Sequence, residues 1–346
     1  MPLSPEELVT RYESRIRPKY QEVFVRQTHP VAMIIAGQPG AGKTETRKQL
    51  RERFGGPVVE LDKDALREHY PNYRRIEQND PQDAIHVASP AADVWETLLL
   101  QDAIDARAHI ISESTLRHPE SIVTFAQQLS QTYAVELYIV ATRPEVAQSR
   151  LFMRYEQEIE QYGSGRYVPY SVSKASEDSM LNTIASVEHE LLITRVVVVA
   201  ADNRILYDTE ERCYAYTTAA QSVLEDRQRP LMLTEEQEIM ENWKTVFTAM
   251  DKRTAKRREY DAILEYGDIP RECAIILAKE RFKQRKDMSD AVIEEIALRL
   301  GLYKLGRAER CVRSMLAKDI EGNYPTQRVI LRDIDRIFSH TLSQSE

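Results

Sequence analysis

The chain has 346 residues, of which 42% are hydrophobic and 29% charged, and its formal net charge is −8. This composition is typical of an ordinary soluble globular protein and excludes a disordered one, and the length allows two domains. Three scattered cysteines, a polar acidic start and the lack of any apolar run of bilayer length predict a cytoplasmic protein without a membrane segment or disulfide framework. Residues 231–346 hold 21 basic and 21 acidic side chains, so the excess acid lies in the first 230 residues and argues against nucleic acid as their partner.

The first predicted element is a helix that begins at Pro5. Ser4 has the side chain of an N-cap, proline suits the first helical position, and Glu7 completes a capping box. Leu8, Tyr12 and Ile16 then fall on one helical face. The pattern favours a helix docked on the core over the alternative, a regulatory arm.

An apolar segment at Val31–Ala36 predicts the first strand, and the sequence GQPGAGKT follows it directly. This is the G-x-x-x-x-G-K-[ST] pattern of a phosphate-binding loop, in its required place between a strand and a helix. Glycines let backbone N–H groups turn toward an anion, and the next helix points its positive end at the same anion. We expect Lys43 on the β and γ phosphates and the Thr44 hydroxyl on Mg²⁺, so the predicted cofactors are ATP or GTP and Mg²⁺. The predicted nucleotide-binding residues are Gly37, Gln38, Pro39, Gly40, Ala41, Gly42, Lys43 and Thr44.

A second strand is predicted at residues 57–62, after the chain break at Gly55-Gly56, and it delivers Asp62 and Asp64. Acidic residues just past the carboxyl end of a strand lie where an open α/β sheet binds its ligands, which is where a base is needed. For Asp62 a second interpretation remains open, the N-cap of a helix that begins near Lys63.

Residues 82–107 are predicted to be helical, and strands at 108–113 and 135–141 follow. The third strand brings residues 113–117 to the same edge of the sheet. After the fourth strand comes a long polar helix with Arg150 and Arg154, then an interruption at Gly163-Ser164-Gly165 and Arg166. A mobile arginine-bearing segment in this place is typical of a phosphoryl-transfer lid. The alternative is a solvated helix face with Arg–Glu pairs, which we favour for Arg150.

A continuous apolar run at residues 195–200 predicts a fifth strand buried on both faces, and RILYD predicts a short edge strand. Strands alternating with helices over residues 31–208 indicate an α/β fold of the P-loop NTPase type, with a doubly wound, mostly parallel sheet. A helix at about 210–226 closes this domain. The sequence Arg-Gln-Arg-Pro at 227–230 predicts a boundary, which gives a kinase-type domain at 1–229.

The remainder, 230–346, shows no strand pattern and is predicted to be an α-helical C-terminal domain. Its predicted helices lie at 234–266, 269–285, 289–300 and 307–317. Two basic runs, at 252–258 and 281–286, could contact nucleic acid, but interleaved acidic residues favour a solvated face.

With these motifs in order, residues 30–210 resemble the zeta toxin family, the P-loop kinases of bacterial epsilon/zeta toxin–antitoxin systems. These kinases phosphorylate the 3′-hydroxyl of the aminosugar in UDP-N-acetylglucosamine. Many kinases share the first matching stretch, whereas the second and third are far more particular. The matching stretches are GQPGAGKT at 37–44, VVELDKDALREHYPNY at 58–73, ESTLR at 113–117 and the segment from Arg154-Tyr155-Glu156 to Arg166.

The resemblance implies a role for each matching residue. Asp64 is implied as the catalytic base, and Arg154 and Arg166, with Lys43, as the cations on the ATP phosphates. Glu113 is implied near the metal and the substrate, and Thr115 and Arg117 as contacts to a UDP-sugar. The implied partners are that UDP-sugar and an epsilon-type antitoxin protein.

The chain also departs from the family. The family has a substrate-contacting glutamate seven residues after a proline; counted from Pro90, that position is Thr97, and the glutamate is Glu96. A one-residue offset rotates a helical side chain by about 100°. Ser114 stands where the family usually has glycine, and the helical domain after 230 has no counterpart in the minimal members.

Two other functions remain open at this stage. One is a P-loop kinase for another hydroxyl, such as that of an antibiotic or a polynucleotide 5′ end. The other is a nucleotide-dependent binding protein in which residues 231–346 are the effector and hydrolysis only resets the state.

Overall fold

The computed structural model describes residues 3–79, 81–188, 192–210, 217–256, 259 and 263. Its centre is one six-stranded sheet. The strands are β1 (Val31–Ala36), β2 (Val59–Leu61), β3 (Ile110–Ser114), β4 (Ala134–Ala141), β5 (Arg195–Ala200) and β6 (Ile205–Asp208).

The strand order is β2-β3-β1-β4-β5-β6, and every neighbouring pair is parallel except β5 and β6. The predicted doubly wound, mostly parallel sheet is therefore confirmed. Because β3 lies between β2 and β1, the carboxyl ends of these three strands form one continuous edge. Residues that follow β2 and β3 in sequence are thereby brought beside the loop that follows β1.

Helices cover both faces of the sheet. They are α1 (Pro5–Arg11), α2 (Arg17–Tyr20), α3 (Lys43–Arg53), α4 (Lys63–Arg67), α5 (Tyr73–Asn79), α6 (Pro81–Ala106), α7 (Pro119–Leu129), α8 (Pro144–Tyr162), α9 (Tyr170–Glu188), α10 (Ala219–Gln228) and α11 (Leu233–Lys252). No helix of the described residues combines the length and the apolar character needed to cross a membrane.

The core is divided by the sheet into two layers, because successive side chains of a strand point to opposite faces. Ile34 of β1 packs in the larger layer, with Trp95 of α6. Ile35, the next residue, packs in the smaller layer, with Leu50 of α3. A strand that is buried on both faces needs apolar residues at every position, which explains the continuous apolar runs of β1 and β5.

The N-terminal helix docks on this core, as its amphipathic pattern predicts. The capping box between Ser4 and Glu7 is present. After α1 the chain makes one π-helical turn at Tyr12–Ile16, in which Tyr12 and Ile16 are buried. The Tyr12 hydroxyl donates to Asp102 Oδ2 of α6 at 2.6 Å, and Trp95 Nε1 donates to the Leu8 carbonyl at 3.0 Å.

The start of α10 differs from the sequence prediction, and most of the predicted C-terminal helices lie outside the described residues. The last helix before the boundary begins at Ala219, not near residue 210, because Thr218 is its N-cap and accepts a hydrogen bond from the Gln221 amide. The chain divides into two units after Glu236, and α11 spans that point. The helices predicted at 269–285, 289–300 and 307–317 lie outside the described residues, as does the basic run at 281–286.

Candidate functional site

The loop between β1 and α3 has the backbone that an anion cradle requires. Gly40 and Gly42 have φ values of +78° and +99°, in the left-handed region that favours glycine. A Cβ atom added at Gly40 would lie 2.2 Å from the backbone oxygen of Ala147 on α8. The loop is therefore packed directly on α8 and leaves no room for a side chain at Gly40. Gly42 is the N-cap of α3, so the positive end of that helix faces the loop.

The Lys43 side chain folds back onto the backbone of the loop. Its Nζ donates to the carbonyl oxygens of Gly37 at 2.9 Å and Gln38 at 3.2 Å. Burial lowers the pKa of Lys43 to about 8; Glu113 opposes this shift, and Arg154 and Arg166 add to it. The next residue, Thr44, is exposed at the first turn of α3. Lys43 is thus a cation held by neutral acceptors, ready to exchange them for a phosphate.

Gln38 and the end of β4 support the loop from behind. Gln38 Nε2 donates to the Thr142 carbonyl at 3.2 Å, and its Oε1 accepts from Arg227 of α10 at 3.0 Å. The Thr142 hydroxyl donates to the Ala41 carbonyl at 2.8 Å. Neither Thr142 nor Arg227 is part of a sequence motif. Sequence reasoning therefore missed both, since only the fold brings residues this distant together.

Arg150 lies beside the phosphate-binding loop. The sequence favoured a solvated face with Arg–Glu pairs for this residue; in the structure Arg150 is half-buried, and its Nη1 lies 3.5 Å from the Ala41 carbonyl of the loop. The helix that carries it buries Val146, Ala147 and Leu151, and Ala147 and Leu151 are the residues that approach Gly40 of the loop. The polar composition of α8 concealed which of its faces meets the loop.

Asp62 is the N-cap of α4, as one of its two interpretations predicted. Its Oδ1 accepts from the backbone N–H groups of Asp64 at 2.9 Å and Ala65 at 3.2 Å. Its Oδ2 accepts from Arg47 of α3 at 3.2 Å. Arg47 also lies 3.3 Å from Glu113 Oε1, so this one arginine links the ends of β2 and β3.

Asp64 lies in the first turn of α4 and has a guanidinium on each carboxylate oxygen. Arg67 donates to Oδ1 and Arg166 to Oδ2. Burial alone would raise the pKa of Asp64, but Arg166, Arg67 and Arg154 outweigh it and hold the pKa below its usual value. Asp64 is therefore ionised at neutral pH, as a proton acceptor must be.

The arginines that the sequence assigned to a lid gather at the same place. Arg166 follows α8 in a loop, and its backbone N–H donates to Glu158 Oε2 at 2.6 Å. Arg154 Nε lies 3.6 Å from Glu158 Oε1 but is buried without a hydrogen bond to any described residue. A cleft of about 220 Å³ opens beside Asp64 and Arg166.

Glu113 ends β3 between the loop and Asp64. Burial raises the pKa of Glu113, although Lys43 and Arg47 oppose the shift. The following turn is tight: Ser114 Oγ accepts from the Leu116 N–H at 3.2 Å, and Leu116 has a φ of +57° with its side chain fully buried. Thr115 and Arg117 on either side are consequently exposed at the sheet edge.

Glu96 lies on the side of the site away from the loop. Its carboxylate is 3.0 Å from Lys63 Nζ. Burial raises the pKa of Glu96, and the charges of Lys63 and Arg67 oppose this shift. Thr97, the residue at the family's position, is exposed and its hydroxyl donates to the Asp93 carbonyl of its own helix at 2.9 Å. Of the two, Glu96 is the one that faces the first turn of α4.

A phosphate-binding loop with a carboxylate and arginines at the adjacent strand ends defines a P-loop nucleotide-binding protein of the kinase-like class. The sequence model described as Zeta toxin matches residues 17–212, more than half of the chain. The chain therefore belongs to the zeta toxin family, a family of kinase-like toxins.

Individual relatives agree with this assignment. Toxin PezT of Streptococcus pneumoniae serotype 4 is 27% identical over 199 residues, which are 57% of this chain and 77% of PezT. Toxin zeta of Streptococcus pyogenes is 23% identical over 135 residues, which are 38% of this chain and 47% of that toxin. A solved structure from a study of the PezAT chromosomal toxin–antitoxin system of Streptococcus pneumoniae has a TM-score of 0.63 at 21% identity, and covers 72% of this chain and 98% of its own. The structural likeness establishes the fold, and the match spans under half of the Toxin zeta relative.

Proposed function

We propose that this protein is an ATP-dependent kinase that transfers the γ-phosphate to a hydroxyl of a UDP-sugar. The specific candidate is the 3′-hydroxyl of the aminosugar in UDP-N-acetylglucosamine, a precursor of the cell wall. One observation carries the proposal: an ionised carboxylate, Asp64, shares one sheet edge with a phosphate-binding loop and with Lys43, Arg154 and Arg166. Phosphoryl transfer needs little more than this, because its catalysis is mostly positioning and charge stabilisation.

Each residue of the site has its own role in the proposed phosphoryl transfer. The loop from Gly37 to Thr44 holds the β and γ phosphates, and Lys43 exchanges its two carbonyl acceptors for phosphate oxygens. The sugar oxygen attacks the γ-phosphorus as the bond to the bridging oxygen of ADP breaks. Asp64 takes the proton of the attacking hydroxyl, and Arg154 and Arg166 balance the negative charge on the transferring group.

The donor set of the site also fits Mg²⁺. The ion prefers oxygen ligands and is bound in such sites by one or two protein groups together with substrate phosphates and water. The Thr44 hydroxyl and the Glu113 carboxylate would hold it, and it would neutralise charge on the β and γ phosphates. GTP would fit the same loop.

The proposed substrate side comprises the end of β3 and the middle of α6. Arg117 and Thr115 are exposed there, which suits contacts to the diphosphate and sugar of a UDP-sugar. Glu96 would accept a hydrogen bond from the sugar substituent. Burial raises the pKa of Glu96, and the Lys63 ammonium 3.0 Å away opposes this shift.

We further propose that the protein acts in the cytoplasm and is restrained by an epsilon-type antitoxin. Two observations support this partner: the chain belongs to the zeta toxin family, and the similar solved structure comes from a toxin–antitoxin system. Co-expression with the neighbouring gene product would relieve toxicity if that product is the antitoxin.

A direct assay tests the reaction. Purified protein is incubated with ATP, Mg²⁺ and UDP-N-acetylglucosamine, and the sugar nucleotide is examined for a mass gain of one phosphoryl group. Lys43→Ala should retain less than roughly a tenth of the wild-type rate, because the γ-phosphate loses a charge-assisted contact. Lys48→Ala, which removes an exposed lysine of the same helix, is the matched control.

Other outcomes separate the remaining functions. Transfer to an antibiotic or a polynucleotide 5′ end, with no product from any UDP-sugar, would identify a kinase of different specificity. Slow ATP hydrolysis that no hydroxyl substrate changes would instead indicate a nucleotide-dependent binding protein.

A further inference from the structure

Arg67 contacts the carboxylate of Asp64 from within the same short helix. It lies three residues after Asp64 in α4, and its Nη1 donates to Asp64 Oδ1. Its Nε donates at 3.2 Å to the hydroxyl of Ser89 on α6, and that hydroxyl donates at 2.7 Å to the Ile85 carbonyl. Arg67 is therefore tied to the body of the domain, and only 16% of its side chain is exposed, against 51% for Asp64.

The second arginine on Asp64 is held differently. Arg166 belongs to the loop after α8, and its side chain is 32% exposed. It lowers the pKa of Lys43 and of Arg154, so the three cations share one charged environment. Phosphates bound in the loop would compete with Asp64 for Arg166, whereas the tie to Ser89 keeps Arg67 away from them.

We propose that Arg67 is the positioning residue of the base: it holds Asp64 Oδ1 permanently, so that Oδ2 becomes the proton acceptor when nucleotide phosphates take Arg166. The inference rests on the proposed function, because it supplies the orientation of the base in that reaction. A guanidinium on each oxygen of Asp64 occupies one lone pair of each and lowers the basicity of both oxygens. Release of Arg166 opens one oxygen, and Arg67 fixes which one.

The titration of Asp64 reports this arrangement without any sugar substrate. The charged and titratable groups facing it are Arg67 of α4, Arg166 of the loop after α8, Arg154 of α8, Lys43 of α3, Glu113 of β3 and Tyr73 of α5. An adjacent arginine lowers a carboxyl pKa by about 1–3 units, so removing one of the two should raise the Asp64 pKa by about one unit.

The experiment follows the Asp64 carboxyl carbon by NMR in the full-length protein labelled at aspartate, with the signal assigned from Asp64→Asn. Titrations are run on the free protein and on its complex with a non-hydrolysable ATP analogue and Mg²⁺. We expect Arg67→Gln to raise the Asp64 pKa in both states, because Arg67 stays on Oδ1 throughout. Arg166→Gln should raise the Asp64 pKa in the free protein. Binding of the analogue to this variant should then raise the Asp64 pKa by less than it does in the wild type.

Rate measurements separate positioning from mere stabilisation. Arg67→Gln should lower transfer at least tenfold and move the acid limb of its pH profile to higher pH. Arg67→Lys should restore the Asp64 pKa but only part of the rate, since an ammonium lacks the guanidinium fork. Ser89→Ala, which frees Arg67 without touching Asp64, should lower the rate several-fold with little change in the pKa. Lys48→Gln, an exposed charge removed from α3, should change neither quantity.

An Arg67→Gln protein that melts at a lower temperature but keeps the wild-type Asp64 pKa and pH profile would show that Arg67 is only structural, and would overturn the proposal. If Arg67→Gln does not fold, an unchanged rate in Ser89→Ala overturns it in the same way. The predicted pKa shifts together with no phosphoryl transfer to any hydroxyl would support the geometry and count against the proposed function alone.

Discussion

Lys43 links nucleotide binding to pH. Its pKa is lowered to about 8 in the free protein by burial, and bound phosphates would raise it again. Below this pKa the lysine is already charged and affinity should be steady; above it, each pH unit should weaken ATP binding by up to about tenfold. Calorimetry in two buffers of different ionisation enthalpy measures both affinity and proton uptake. Equal affinity at pH 7 and pH 9.5 would contradict this assignment.

The lowered pKa of Lys43 also determines how the stability of the protein changes with pH. The pKa of Lys43 is lower in the folded protein than in the unfolded chain, so between about pH 8 and pH 10.5 the unfolded chain binds more protons. The contribution of Lys43 to the free energy of unfolding therefore rises with pH across that interval. Below about pH 8 the buried lysine is charged and lowers the stability of the fold, and a bound anion would offset this effect.

Asp64 and Asp62 give a paired test of the base. Asp64→Asn removes the proton acceptor and should lower single-turnover transfer by roughly 10² to 10⁴, while ATP affinity hardly changes. Asp62→Asn keeps a good N-cap but loses the charge partner of Arg47, so it should cost about 1 kcal/mol of stability and leave turnover nearly intact. A larger rate loss at position 62 than at 64 would mean that the base is the other carboxylate.

At the scale of elements, periodicity predicted the sheet because its strands have unambiguous patterns. The run RVVVVA is a strand at Arg195–Ala200 as predicted, since a strand buried on both faces must be apolar throughout. The start of α10 was missed because the polar residues before it carry no periodic pattern, and only the cap at Thr218 marks it. For Asp62 the sequence could not choose between an N-cap and a catalytic base, because both roles call for an acidic residue just after a strand.

The site itself was predictable only where function constrains local sequence. The loop from Gly37 to Thr44 has a fixed spacing, whereas Arg150 and Arg227 reach it from distant segments of the chain. Their donors and acceptors are up to 189 positions apart, as in the bond from Arg227 to Gln38. Ordinary arginines in polar helices give no indication of such contacts.

The packing of α8 on the loop gives a prediction for Gly40. Gly40→Ala would place a Cβ against the Ala147 backbone, which cannot turn away as a side chain could, at a φ that an alanine rarely adopts. We expect at least a tenfold loss of ATP affinity and a lower melting temperature. Gly56→Ala is the matched control, because its added Cβ would lie 3.8 Å from the nearest atom, at a φ suited to alanine. Equal behaviour of the two variants in calorimetry and thermal melts would refute this role of Gly40.

At the scale of the whole molecule, the sheet and both core layers lie before residue 230, so a fragment 1–230 should fold and bind ATP. It should nevertheless be less stable than a fragment 1–252. The buried Glu235 carboxylate accepts two hydrogen bonds from Arg229, at 2.6 and 2.7 Å, and one from the Met232 N–H at 2.9 Å, and the shorter fragment loses all three.

Charge-assisted hydrogen bonds of this kind contribute about 1.5–3 kcal/mol, which for a protein of this size lowers the melting temperature by roughly 3–12 °C. Glu235→Gln in the full chain isolates the same contacts and should show a similar shift, since an amide keeps the shape but loses the charge. Thermal melts and ATP titrations of the two fragments and of Glu235→Gln make the comparison. An insoluble 1–230 fragment would show that the later helices complete the core, and equal melting temperatures for both fragments would mean that the Arg229–Glu235 pair adds no net stability.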